Sequence, residues 1–157
     1  MVLNILKYGE SDILSKKAHP VEKIDRRTKA LLKDMAETMY AAEGCGLAAP
    51  QVGILRRLVV IDVGDGLYEL VNPVIVAQEG EEIGPEGCLS VPGRRGTVKR
   101  PTKVAVRALD KKGNPIEFTA EGFFARAVCH ELDHLDGIVY IEKMIEDVTD
   151  QTEPEEN

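Results

Sequence analysis

Leu31, Leu32, Met35 and Met39 recur at three- and four-residue spacing, while Lys29, Lys33, Asp34 and Glu37 fall elsewhere on the same period. That pattern predicts an amphipathic helix over residues 25–42, capped by Asp25 and stopped by Gly44. The period then disappears. Residues 44–53 are mostly small, a composition that lets backbone come close to a ligand or another strand. Residues 58–63 form a β-branched apolar run, and Gly64-Asp65-Gly66 turns it into residues 67–71, which predicts a hairpin. Residues 74–77 start another strand. Gly84-Pro85-Glu86-Gly87 interrupts the pattern, and residues 88–93 follow as a short extended piece. Residues 104–109 and 116–119 read as strands joined by a turn. A second helix is expected over 121–136, with Gly137 as its C-terminal glycine, and Phe123, Ala127, His130 and His134 share its inward face. A last strand is expected over 138–141.

Composition narrows the class. The 157 residues, 43% hydrophobic and 30% charged, suit one domain with a real core, here residues 1–146, followed by an acidic, disordered tail over 147–157. No apolar run approaches bilayer length and the first residues lack a signal-peptide pattern, so a cytoplasmic protein without membrane contact is expected. Three cysteines, Cys45, Cys88 and Cys129, are an odd number, which argues against a disulfide scaffold and for metal binding or catalysis. A formal charge of -7 argues against nucleic acid as a direct partner.

The chemistry centres on His130-Glu131-Leu132-Asp133-His134. Four residues apart on a helix, the two histidines project from one face a turn apart and can grip one ion, while Glu131 reaches a water beside it as a general base. A chain that does no more than carry two surface histidines remains the alternative until a third ligand is found. The downstream position where one class of zinc peptidases has a third histidine is Tyr140, so the search turns upstream. His19 lies in an irregular segment, Cys129 points about 100° away from His130 on the same helix, and glycines flank Cys45. Cys88, at an extended strand edge, is the better choice.

Three segments then carry a resemblance. Gly44-Cys45-Gly46-Leu47-Ala48-Ala49-Pro50-Gln51-Val52-Gly53, Glu86-Gly87-Cys88-Leu89-Ser90 and His130-Glu131-Leu132-Asp133-His134 resemble, in order, the three motifs of the peptide deformylases, G-x-G-L-A-A-x-Q, E-G-C-L-S and H-E-x-D-H. Cys129 stands where the family commonly has glutamine. The resemblance implies an α+β fold, small antiparallel or mixed sheets around a central helix carrying the histidines. It implies a monomeric hydrolase that removes the formyl group from the formylmethionine of nascent polypeptides near the ribosome. Cys88, His130 and His134 would hold one divalent metal, Fe(II) in the cell, with Zn, Ni or Co also suited to a thiolate and two imidazoles. The metal would lower the pKa of a water, Glu131 would take its proton, and the Gln51 amide and Leu89 backbone N–H would stabilise the oxyanion. Gly46 would let the substrate backbone approach, and Phe123 and Ala127 could line the methionine pocket, with plain core packing an equal alternative. An ion pair of Glu86 with Arg100 could steady the Cys88 loop or equally be a solvated surface pair, and Asp133 could orient a ligating imidazole or merely face solvent. Two rival readings remain: a zinc endopeptidase, and a closed structural site made of Cys88, Cys129, His130 and His134.

Overall fold

The apolar run in the middle of the chain lacks alternation because both of its faces are covered. In the computed structural model, which describes residues 1–150, the order is α1 (Arg26–Ala41), β1 (Gly46–Ala48), β2 (Leu58–Ile61), β3 (Tyr68–Glu79), β4 (Glu82–Cys88), β5 (Val91–Arg100), β6 (Lys103–Leu109), β7 (Pro115–Glu121), α2 (Phe123–Leu135) and β8 (Glu146–Asp147). The larger sheet has order β1-β2-β3-β6-β7 and the smaller β4-β5-β8. Each strand pairing in them is antiparallel.

Successive side chains of a strand point to opposite faces. In β2, Val59 and Ile61 join the core beneath α2, with Leu70, Val104, Val106, Ala125, Val128 and Leu135. Leu58 and Val60 join the core beneath α1, with Leu32, Met35, Met39 and Val71. All four β2 side chains are therefore buried, so no polar residue breaks the run. Full burial of one such side chain is worth about 1.5–3 kcal/mol. Helix α2 thus lies on one face of the large sheet, with the small sheet closing over its other side.

The helices follow the sequence closely. The Asp25 side chain accepts from the Thr28 N–H at 2.9 Å, as expected of the cap. The stop is displaced by one residue. Glu43 takes the left-handed position at φ 60°, and the Gly44 N–H reaches Met39 O at 3.0 Å. Gly44 is small for another reason: a Cβ there would lie 2.7 Å from Leu89 Cδ1. Helix α2 starts two residues later than expected and ends at Leu135, with Asp136 as its cap and Gly137 just beyond at φ 79°.

Four expectations are corrected. Gly84-Pro85-Glu86-Gly87 does not break a strand but lies inside β4, a strand at the edge of its sheet, where proline is tolerated. Residues 88–93 are not one extended piece, because Leu89 and Ser90 make the turn between β4 and β5. Residues 138–141 form no strand; a 3-10 turn covers Tyr140–Glu142 and buries the Tyr140 ring among Val91, Val98 and Val139. The tail expected from residue 147 starts inside β8, where Asp147 pairs with Gly96, and its remainder, residues 151–157, lies outside the described residues.

Candidate active site

Three walls meet in a cleft of about 490 Å³: the β1 segment with Cys45, Gly46 and Gln51, the β4–β5 turn with Cys88 and Leu89, and α2 with Phe123, Ala127, His130 and Glu131. Cys88, His130 and His134 bring one ligating atom each to within 4.8 Å of one another. Cys88 Sγ is 3.3 Å from His134 Nε2. The helical period accounts for the two imidazoles; the thiol comes from a hairpin more than forty residues upstream.

A single carboxylate joins the hairpin to the helix. Glu86 Oε1 accepts from Arg100 Nη2 at 2.9 Å and from His130 Nδ1 at 3.0 Å. Its Oε2 accepts from Arg100 Nε at 2.8 Å and from Arg126 Nη1 at 2.9 Å. With Nδ1–H committed to Glu86, the free lone pair of His130 is on Nε2, the tautomer a metal ligand needs. Burial opposes the charge of Glu86, but its hydrogen bonds with Arg100 and His130 prevail and hold its carboxyl down to about 2. The expected Glu86–Arg100 pair is therefore present and fully buried. Asp133 differs from expectation. It touches neither imidazole and instead accepts from Arg100 at 2.7 Å and pairs with Lys143 at 3.0 Å.

Glu131 is buried, and its Oε1 has no partner among the described residues. Burial pushes its carboxyl up to about 7, where it can both take and return a proton near neutral pH. Gly46 faces it: a Cβ at Gly46 would lie 2.5 Å from Glu131 Oε2. The sequence attached Gly46 to the substrate, and the structure gives it a second constraint, room for this carboxylate. Gln51 is also buried. Its Oε1 accepts from the Ala48 N–H at 3.0 Å, which fixes the amide so that Nε2 donates to Ser90 Oγ at 3.1 Å and, at a longer 3.6 Å, to Cys88 Sγ. Ala127 is buried against the cleft, whereas Phe123 is 57% exposed and sits at its edge, not on the inward face.

The remaining candidates separate clearly. Cys129 faces another cleft with Asp133 and Lys143, which removes the closed four-ligand reading. Cys45 lines the active-site cleft, but burial pushes its thiol up to about 11. Tyr140, at the position of a downstream third histidine, stacks on the His130 ring with centroids 5.9 Å apart.

A family model described as Polypeptide deformylase matches residues 2–149. The chain belongs to the peptide deformylase family. A peptide deformylase of Caldanaerobacter subterraneus subsp. tengcongensis is 60% identical over 141 residues, which cover 90% of this chain and 88% of that one. Among solved structures, the peptide deformylase of Legionella pneumophila is 44% identical with a TM-score of 0.89, covering 92% of this chain and 87% of that one. That of Thermotoga maritima is 38% identical with a TM-score of 0.90, covering 92% and 99%. As a member of the family the chain is a hydrolase that removes the N-formyl group from nascent polypeptides, with an α+β fold and a candidate metal site at Cys88, His130 and His134. Sequence reasoning missed Arg126, although an arginine one turn before His130, between Ala125 and Ala127, was a visible departure from an apolar face.

Proposed function

We propose that Cys88, His130 and His134 hold the metal of this deformylase, that the ion is Fe(II), and that Glu131 is its general base and acid. The observation that carries the reading is the three ligating atoms within 4.8 Å beside a buried carboxylate whose Oε1 has no partner among the described residues. A thiolate with two imidazoles suits Fe(II), and equally Zn, Ni or Co in purified protein. Bound there, the ion supplies Lewis-acid polarisation to the attacking water and the formyl carbonyl.

The protein's own groups do the rest. The cleft takes the formylated end with Gly46 along the peptide backbone and with Ala127 and, at the edge, Phe123 beside the methionine side chain. Glu131 takes the proton of the water as its oxygen adds to the formyl carbon. It returns that proton to the α-amine nitrogen as the C–N bond breaks, and formate leaves. Negative charge grows on the former carbonyl oxygen, and the Leu89 backbone N–H and Gln51 Nε2 donate to it. For Gln51 the bond given up is the long one to Cys88 Sγ, since Ala48 and Ser90 hold the rest of the amide in place. The substrate is the formylmethionyl end of a chain emerging from the ribosome, and the enzyme acts there as a cytoplasmic monomer.

Formate release from formyl-Met-Ala-Ser by anaerobically purified Fe(II) protein tests the reading. Turnover is expected in the unaltered chain and its loss, with loss of iron, in Cys88→Ala. Absence of formate from iron-loaded protein, or an iron-replete Cys88→Ala variant, overturns it.

A further inference from the structure

Arg126 is 7% exposed, one turn before His130, and none of the three motifs contains it. A buried guanidinium is costly unless its donors are used. Here they are. Nη1 donates to Glu86 Oε2 at 2.9 Å, Val98 O at 2.9 Å and Gly84 O at 3.3 Å, and Nη2 donates to Glu82 O at 3.0 Å. Three of these four acceptors lie on β4 and the other on β5, so the side chain binds α2 to the main chain of the hairpin that carries Cys88. The strand leaves space for it: a Cβ added at Gly84 would lie 3.1 Å from Nη2 and 3.3 Å from Cζ.

The placement matters because α2 is tied to the hairpin at two points on either side of His130. Arg126 ties it one turn before His130, and the Arg100 bond to Asp133 ties it three residues after. Glu86 is shared by both ties and by His130, and Cys88 follows it by two residues. A shift of β4 along α2 would move the thiol away from the two imidazoles while leaving each element intact.

We propose that Arg126 is a positioning residue: by fixing β4 and β5 against α2 it sets the separation of Cys88 from His130 and His134, and with it the affinity and geometry of the metal site. The inference rests on the ligand set proposed above, but not on the reaction. Arg126 touches no reacting atom and acts through the hairpin and Glu86.

The test uses the full chain loaded with Co(II), whose affinity is read by chelator competition and whose thiolate-to-metal absorption reports ligation by Cys88. Arg126→Met keeps the length and removes the donors. It is expected to weaken Co(II) binding roughly ten- to a hundredfold, the usual range for groups that orient metal ligands, and to shift or weaken the thiolate band. Arg126→Lys, which restores one cation but not the fork, should recover part of the loss. Gly84→Ala should weaken binding in the unaltered background, because the methyl pushes the guanidinium by a few tenths of an ångström off its carbonyl acceptors, yet add nothing in the Arg126→Met background. A folded Arg126→Met with unchanged Co(II) affinity and an unchanged band overturns the proposal, even if its thermal stability is lower. Should Arg126→Met not fold, Gly84→Ala decides alone: unchanged affinity and absorption overturn it. Unaltered protein that binds Co(II) through Cys88 but releases no formate with Fe(II) would end the deformylase mechanism and leave the positioning role intact.

Discussion

Helix α2 and the β4–β5 hairpin deliver ligands to the same point, but their spacing is enforced in different ways. In α2, His130, Glu131 and His134 are placed by the helical period, and local backbone hydrogen bonds hold that period wherever the helix packs. In the hairpin, Cys88 follows a register irregularity between Glu86 and Cys88 and precedes a two-residue turn, so its own element fixes it weakly. The fixing comes from α2, whose Arg126, His130 and Asp133 bind Glu86 and Arg100 of the hairpin. Half of the site is therefore local in origin and robust, and the other half depends on a buried charge cluster.

The sharpest way to test the helical half is Glu131→Ala. Because the helix continues through that position, the variant should keep its metal and lose up to about 10⁴-fold in kcat, the upper end for a general acid–base. A metal-replete variant with a tenth of normal turnover would show that another group moves the proton. For the hairpin half the corresponding change is Glu86→Ala, which leaves Arg100 and Arg126 buried without their carboxylate. Denaturant unfolding should show a loss of about 3–5 kcal/mol, the cost of breaking a buried ion pair from one side. A loss below about 1 kcal/mol would mean that the strand ladder alone holds the hairpin, and the contrast between the two regions would fail.

Gln51→Ala lies between the halves, since its amide touches Ser90 and Cys88 but sits on the β1 side. Removing an oxyanion donor typically lowers kcat by about 10²–10³, with metal content unchanged. Parallel losses of metal and kcat would reclassify Gln51 as a support for the thiol.

The same contrast explains what could be read from the sequence. Asp25, the stripe of Leu32, Met35 and Met39, and the pair His130 and His134 are local patterns, and each stands where the pattern put it. Cys88 follows only from elimination among the other candidates and from the family motif, since no local period points to it. The strand around it was misread because Gly84 and Pro85 look like breakers, whereas Gly84 is small to admit Arg126 and Pro85 is on an edge strand. Asp133 reads from the sequence as either an orienter of an imidazole or a solvent-facing group, but Arg100, thirty-three residues away, claims it. These choices depend on partners remote in sequence, and no local period records them.

The smallest expected effect probes how far the external support of the hairpin extends. Thr149 lines the cleft, and its hydroxyl accepts from the Arg95 N–H at 3.1 Å, so β8 and the residues after it brace β5. The same hydroxyl also bonds Asp147, whose carboxyl is held down to about 2, first by that bond and then by the Thr149 N–H and Arg94. Thr149→Val removes the hydroxyl and keeps the shape. The Asp147 pKa, followed by NMR titration, should rise from about 2 towards its ordinary 3.8. A lowered pKa in the folded state stabilises above the ordinary value and loses that contribution as pH falls through the folded one. In the variant that contribution should therefore be smaller, and its loss, which still begins near 3.8, should be complete at a higher pH than in the unaltered chain. Near neutral pH the unfolding free energy should fall only slightly, because the bond is exposed to solvent. A fall of several kcal/mol, or a concurrent loss of metal, would mean that the brace reaches Cys88 through β5, and that the dependence of the hairpin on remote contacts extends to the end of the described chain.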